Sequence, residues 1–397
     1  MKRKLKKVLI LLFLIVLLSQ TPFIYRRYEL AKLSEEIARI NSQRKELEAQ
    51  DRYADYKGII HVHTNLGGHS TGHFEELIKA AQNSELDFVI MTEHTAEFFD
   101  TSSLTLRGKY LGVLFVNGQE VDTASGDRFL MIPGHADSFM DSKLETADFI
   151  RKYKSLGRLI FVTYPERLKS KEADFDGFEF FSLNTNARRI NPGLFIFDAV
   201  WSWRSYSELL LTKYFARPDD SLRLYDELTA KRKVTLFAGS DAHSNIGFFL
   251  LGDDAGNKVF YLKLDPYERV FRLIRNHVLV EKDKVFNEET LLEAIKRGRL
   301  FVGVDLWGDT RGFRFMTENG QTMGDEIEET EMPVRLKVLS PLPAKIVLLR
   351  NGEKVSESYG TEAVFDVSEK GAYRAELYLD LPTLRMPWII SNPIYVR

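Results

Sequence analysis

Between residues 56 and 304 the chain alternates short apolar runs with amphipathic stretches, and near Gly312 it changes to a two-residue alternation. The runs at 58–60, 86–91, 112–116, 128–132, 159–162, 178–183 and 234–239 have the length and continuity of buried strands. Intervals 74–84, 145–156, 221–232 and 288–297 carry helical periodicity. About seven strands with helices between several of them predict a barrel-like α/β domain. From Gly312 onward the pattern differs. Runs at 334–338, 346–350 and 373–378 alternate apolar with polar residues and are punctuated by Asn351-Gly352 and Lys370-Gly371 turns. They predict antiparallel hairpins in a small C-terminal all-β sandwich, immunoglobulin-like in pattern.

The amino terminus follows a third pattern. Five basic residues between Lys2 and Lys7 precede an unbroken apolar run over 8–18, which is short for a span unless 19–25 extends it, with Pro22 tolerated inside a helix. No small-x-small cleavage site follows. The expectation is an uncleaved anchor with its basic end in the cytoplasm and the rest of the chain on the extracytoplasmic face, secretion after cleavage being the alternative. Leu30, Leu33, Ile37, Ile40 and Leu47 then recur at heptad-like spacing, interrupted by Arg44. Such a seam serves either a homodimeric stalk or one amphipathic helix laid on the body. The expected organisation is therefore an anchor at 1–25, a helical stalk at 26–54, an α/β domain at 55–310 and a sandwich at 311–397.

With 397 residues, 44% of them apolar, the chain can bury cores of more than one domain, and a net charge of −2 gives it no general attraction for nucleic acid. It has no cysteine, hence no thiol nucleophile and no disulfide framework. No phosphate-binding glycine loop stands between a strand and a helix.

What the chain does have is clustered histidine. All but one of its eight histidines fall in short motifs: His61-Val62-His63-Thr64, His69 with His73, Glu93-His94, Gly134-His135 and Asp241-Ala242-His243. In a strand, residues i and i+2 face the same way, so His61 and His63, or Asp241 and His243, can hold one ion side by side. Imidazole and carboxylate are the ligands that zinc, manganese and iron accept. Glu93, His94, Glu120 and His135 also follow apolar runs. His73 reads as a loop residue and His277 as a structural one.

These motifs, "HVHT", a histidine six residues after His63, "TEH", "GQEV", "GHAD" and "SDAHS", resemble those of the PHP (polymerase and histidinol phosphatase) family over about residues 56–304. "GFRF" and the tail "PWIISNPIYVR" are similar to its CehA/McbA-type metallohydrolase branch. The resemblance implies a distorted (β/α)7 barrel holding two or three divalent ions (Mn, Zn or Fe). It implies one ion on His61, His63, Glu120 and Asp241, a second bridged by Glu120 near His135, and a third between His69, His94 and His243. Glu93 stands where the family has aspartate and is expected to orient His94 or a water. The chain departs from the family at Thr163-Tyr164-Pro165, where His-Pro is usual. Three outcomes stay open: Tyr164 ligates, Glu179 or water fills the gap, or the ion there is weakly held; Glu179 is also a candidate for substrate. Arg188 and Arg189 are candidates for clamping a phosphate.

The chemistry that follows is hydrolysis by metal-activated hydroxide, with Asp241, His243, Glu120 and His94 handling ligation and protons. The expected substrate is a small phosphoester. An ester, amide or carbamate is the alternative within the enzyme class, and a non-catalytic envelope-binding protein is the alternative outside it.

Overall fold

The computed structural model describes residues 2–44, 52–248, 251–252, 258–259 and 262–397. The basic and apolar amino terminus forms a helix, Lys2–Ser19, followed directly by a second, Thr21–Asn41. Together they are long and apolar enough to cross a membrane, and the apolar window is not buried against the rest of the protein. The second helix buries Leu30, Leu33 and Ile40, and its Asn41 Nδ2 donates to the Trp307 carbonyl at 3.1 Å. The heptad-like seam is thus laid against the body of its own chain. Leu47 lies outside the described residues.

Ten strands position the site: β1 Tyr53–Val62, β2 Phe88–Met91, β3 Glu93–His94, β4 Val113–Val116, β5 Gln119–Asp122, β6 Arg128–Ile132, β7 Leu159–Val162, β8 Gly177–Ser182, β9 Thr235–Ala242 and β10 Arg275–Glu281. The second half of β1 runs parallel to β2 on one side and β9 on the other, while its first half pairs antiparallel with β10. β2 pairs with β4, β3 with β5, β7 with β8, and β8 with β9, all parallel.

The expected (β/α)7 barrel with a separate sandwich behind it is not what the chain builds. Its described residues build a mixed sheet of 19 strands, beside two separate two-stranded pairs. Two local causes account for the difference. Only residues 123–127 separate β5 from β6, too few for a helical crossover, so the pair is an antiparallel hairpin, and β6 pairs antiparallel with β7 in turn. In addition, β10 continues the sheet past β1. It pairs with Leu300–Gly303, which pairs with Ile389–Ser391, which pairs with Gly371–Tyr378. The long strand Val334–Arg350 joins that edge and the hairpin partner Glu353–Val367. The alternating C-terminal strands are therefore a continuation of the first sheet, and the largest apolar cluster runs from Leu30 through Phe178 and Trp307 to Val396 without a break.

Candidate metal centre

The site lies at the carboxyl ends of β1 and β9, with β3 and β5 beside them. Simple strand alternation does not place His61. The register of β1 shifts between Ile60 and Val62 against both neighbours, and His61 takes a left-handed φ of 73°. Asp241 on β9 has φ 48° and Tyr164 φ 49°. Three site residues in this region mark backbone that the surrounding structure holds against a cost of about 1–3 kcal/mol each. The bulge brings the rings of His61 and His63 to 5.0 Å at 64°.

Four side-chain atoms then face one point. His61 Nε2 lies 3.5 Å from Glu120 Oε2 and 3.4 Å from Asp241 Oδ1, and His63 Nε2 lies 3.4 and 3.3 Å from the same two oxygens. All four are buried and lack a hydrogen-bond partner. Ligands on a tetrahedron of about 2.1 Å radius, the zinc–nitrogen and zinc–oxygen bond length, stand about 3.4 Å apart. Buried carboxylates left without a cation cost several kcal/mol each. The donor set, the four imidazole–carboxylate separations and the missing partners fit a metal ion.

Beside this group stands another of histidines alone: His63, His69, His94 and His243. His243 Nε2 and His69 Nε2 approach to 2.7 Å, and His94 Nε2 reaches Glu120 Oε2 at 3.0 Å, so Glu120 touches both groups. Two adjoining groups of His and Glu side chains, most of them buried, could therefore hold a metal ion.

The supporting contacts fix which atoms face inward. His243 Nδ1 lies 2.8 Å from the Asp241 carbonyl, which can only accept, so the proton sits on Nδ1 and Nε2 faces His69 without one. His61 Nδ1 meets Glu179 Oε2 at 2.9 Å in the same manner. Gly239 allows this approach, since a Cβ there would stand 2.1 Å from Glu179 Oε1. Asp241 Oδ2 accepts from Tyr164 Oη and Asn184 Nδ2, both at 2.8 Å, which leaves Oδ1 to the centre. Tyr267 Oη holds the His63 carbonyl at 2.5 Å.

Electrostatics follow from the burial. Burial alone would push the His61 imidazole down, yet the carboxylates of Glu179, Asp241 and Glu120 hold it well above its ordinary value. Burial would push Glu120 up, but His61, His63 and His94 bring it down to about 2. Asp241 is held low in the same way, against its burial, by His61, His63 and His243. His94 falls to about 3 through burial, against Glu120, and His243 to about 4 through burial and the neighbouring His63. Burial and then the Asp241 carboxylate raise the Tyr164 hydroxyl far above its usual range, so it stays a neutral donor.

Several sequence expectations change here. Tyr164 donates to Asp241 instead of pointing its oxygen at the ligand atoms. Glu179 is held by His61. Glu93 does not reach His94: its oxygens accept from Thr64 N at 2.9 Å, Thr64 Oγ1 at 2.6 Å and Thr105 Oγ1 at 3.2 Å, which pins the turn after His63. His135 stands outside both groups, its ring 5.6 Å from Tyr153 and its Nδ1 accepting from Asp137 N at 3.2 Å. The arginines part: exposed Arg188 lines the cavity over the site, whereas exposed Arg189 lines a different one.

Two contributors were not anticipated. Asn184 lies four residues before Arg188 in Asn184-Thr185-Asn186-Ala187-Arg188-Arg189. Arg128 sits at the start of an apolar run, yet its guanidinium is 3.7 Å from Glu120 Oε1 and over the Tyr164 ring. A cavity of 730 Å³ opens onto His69, His94, Arg128, Tyr164, Asp241 and His243.

No family model matches the chain, and no curated protein matches it. Among solved structures, the crystal structure of PsfC from Pseudomonas syringae PB-5123 is similar over 61% of this chain and 88% of its own length, at 14% identity and a TM-score of 0.37.

Proposed function

We propose that this chain is a metal-dependent hydrolase, most simply a phosphoesterase, held at the extracytoplasmic face of a membrane by its first helix. The observation that carries the reading is the set of four buried, unpartnered ligand atoms on His61, His63, Glu120 and Asp241, with each imidazole Nε2 3.3–3.5 Å from both carboxylate oxygens. The histidine motifs, with their resemblance to the PHP family, add to it. Zinc, manganese and iron suit such mixed nitrogen and oxygen ligands, and the adjoining histidines offer further ligand atoms for a second ion or a third.

A divalent ion bound there supplies acidification of water and positive charge against the developing oxyanion. The chain's own groups do the rest. Tyr164 and Asn184 fix the Asp241 carboxylate, and Glu179 fixes the tautomer of His61. His94 and His243, neutral at working pH, are available as ligands or proton acceptors, and both line the cavity with Arg128, whose cation can meet a phosphoryl oxygen. The basic residues before the apolar helix favour the cytoplasmic side for the amino terminus, which leaves the body outside.

The test is turnover of a phosphomonoester, a phosphodiester and a carboxyl ester by the full chain loaded in turn with Mn, Zn and Fe. Hydrolysis of a phosphoester that is lost in Asp241→Ala supports the reading. Hydrolysis of the carboxyl ester alone moves the activity to the acyl class, and no turnover by the loaded protein refutes it.

A further inference from the structure

The cavity that opens onto the candidate metal centre combines polar residues with a large apolar share of its lining. Its lining includes Leu183, Phe195, Trp203, Leu211, Phe215 and Ile246, and its 730 Å³ lies within the about 300–1,000 Å³ of ligand pockets. A small hydrophilic phosphoester needs no such wall. One helix, Pro192–Lys213, contributes Phe195, Trp203 and Leu211 to it, and departs from helical geometry at Tyr206 (φ −140°, ψ 32°).

The same helix turns a second apolar face outward. Leu194, Ile196, Phe197, Val200 and Trp201 are exposed at spacings of three and four, Val200 by 73%. This face adjoins the end of the apolar amino-terminal helix. Trp201 Nε1 donates to Gln20 Oε1 at 3.2 Å, the Phe23 ring stacks on Phe197 at 5.1 Å, Arg27 Nη1 donates to the Trp201 carbonyl at 2.8 Å, and Arg26 pairs with Asp198 at 3.0 Å. Gln20 directly follows the helix that ends at Ser19. A bilayer holding Lys2–Ser19 therefore meets the outward face of Pro192–Lys213, while the other face of that helix lines the catalytic cavity.

We propose that the substrate is a membrane-resident amphiphile, a phosphoester lipid whose apolar chain leaves the bilayer along helix Pro192–Lys213 and lies in the cavity with its phosphate at the metal centre. The proposal rests on the metal-dependent phosphoesterase reading given above. Exposed Arg188 on the cavity wall, which forms no ion pair among the described residues, supplies a cation for the headgroup. In the reaction the water oxygen bonds to phosphorus, the bond from phosphorus to the lipid oxygen breaks, and the water proton passes to that leaving oxygen. No other reactant is needed.

The experiment measures kcat/KM of the full chain, metal-loaded and in detergent, for n-alkyl phosphates from ethyl to octyl below their aggregation concentrations. It then measures turnover of phosphatidic acid in phosphatidylcholine vesicles, with glycerol phosphate as the water-soluble control. The expected result is a rise approaching about fourfold per methylene while the chain is still entering the cavity, the value for complete burial of one CH₂. Phosphatidic acid is expected to exceed glycerol phosphate, and Val200→Asp with its metal content intact to lower the vesicle rate. Equal rates along the alkyl series, or glycerol phosphate as the better substrate, overturn the lipid proposal and leave the phosphoesterase standing. No turnover of any phosphate by metal-loaded protein removes both.

Discussion

Tyr164 stands where the PHP motif that the chain resembles has histidine, and its role separates a positioned ligand from a missing one. Its hydroxyl donates to Asp241 Oδ2 at 2.8 Å, and Asn184 donates to the same oxygen at the same distance. Tyr164→Phe removes one of these bonds and leaves the ring between the guanidiniums of Arg128 and Arg167, each 5.7 Å from its centroid. A hydrogen bond to a charged group contributes about 1.5–3 kcal/mol. At about 1.4 kcal/mol per tenfold, metal affinity at the His61, His63, Glu120 and Asp241 group should weaken about 10- to 100-fold, the usual effect of losing a group that orients a ligand. Asn184→Ala should cost a similar amount. Because both donors serve one oxygen, the double variant should lose more than the sum. Competition titration against a chelating dye measures all three dissociation constants. A dissociation constant for Tyr164→Phe within twofold of wild type refutes the positioning argument. So does a tyrosinate-to-metal absorption band in the iron-loaded wild type, which would make Tyr164 a ligand.

Other expectations follow from the same contacts. His277 is buried between Asp55 and Asp305, which, against the opposing effect of burial, lift its imidazole up to about 10. A folded value above the unfolded one of about 6.5 gives stabilisation that is complete below pH 6.5 and lost as pH rises toward 10, with a slope of at most about 1.4 kcal/mol per pH unit. Urea midpoints from pH 6 to 10 should fall more steeply in wild type than in His277→Gln; equal slopes would refute the charged pair. Glu93→Gln weakens the bonds from Thr64 and should lower the melting temperature, with a cost of about 1–3 kcal/mol, while ligand residues remain; an unchanged melting temperature refutes the pinning role. Gly72→Ala would set a Cβ 1.9 Å from Tyr267 Oη and displace the donor to the His63 carbonyl, so metal affinity should fall; unchanged affinity shows that His63 needs no such support.

Two groups that could hold an ion were foreshadowed by imidazoles and carboxylates clustered at the ends of apolar runs. His61, His63 and Glu120 meet in one group, and His63, His69, His94 and His243 in another. How His61 gets there was not legible, since a register shift and a left-handed φ leave no mark in a run of apolar residues. His135 had the same sequence context as the others, but it caps the turn at Asp137 and faces Tyr153. The barrel expectation failed where pairing direction matters. Apolar runs look alike in parallel and antiparallel strands, and the shortness of 123–127 was the one clue to the hairpin. The alternation after Gly312 correctly implied half-buried strands but not their partner, because β10, which links them to β1, reads simply as "RNHVLVE". The apolar seam of the second helix could serve a partner or its own chain, and the contact with Trp307 puts it on its own chain.

The most direct test of the central claim is metal content. The full chain, solubilised in detergent and purified without chelators, should carry between one and three transition-metal ions by inductively coupled plasma mass spectrometry, with His61→Ala and Asp241→Ala folded but depleted. Fewer than one ion per chain, with none regained from Mn, Zn or Fe, would contradict the account.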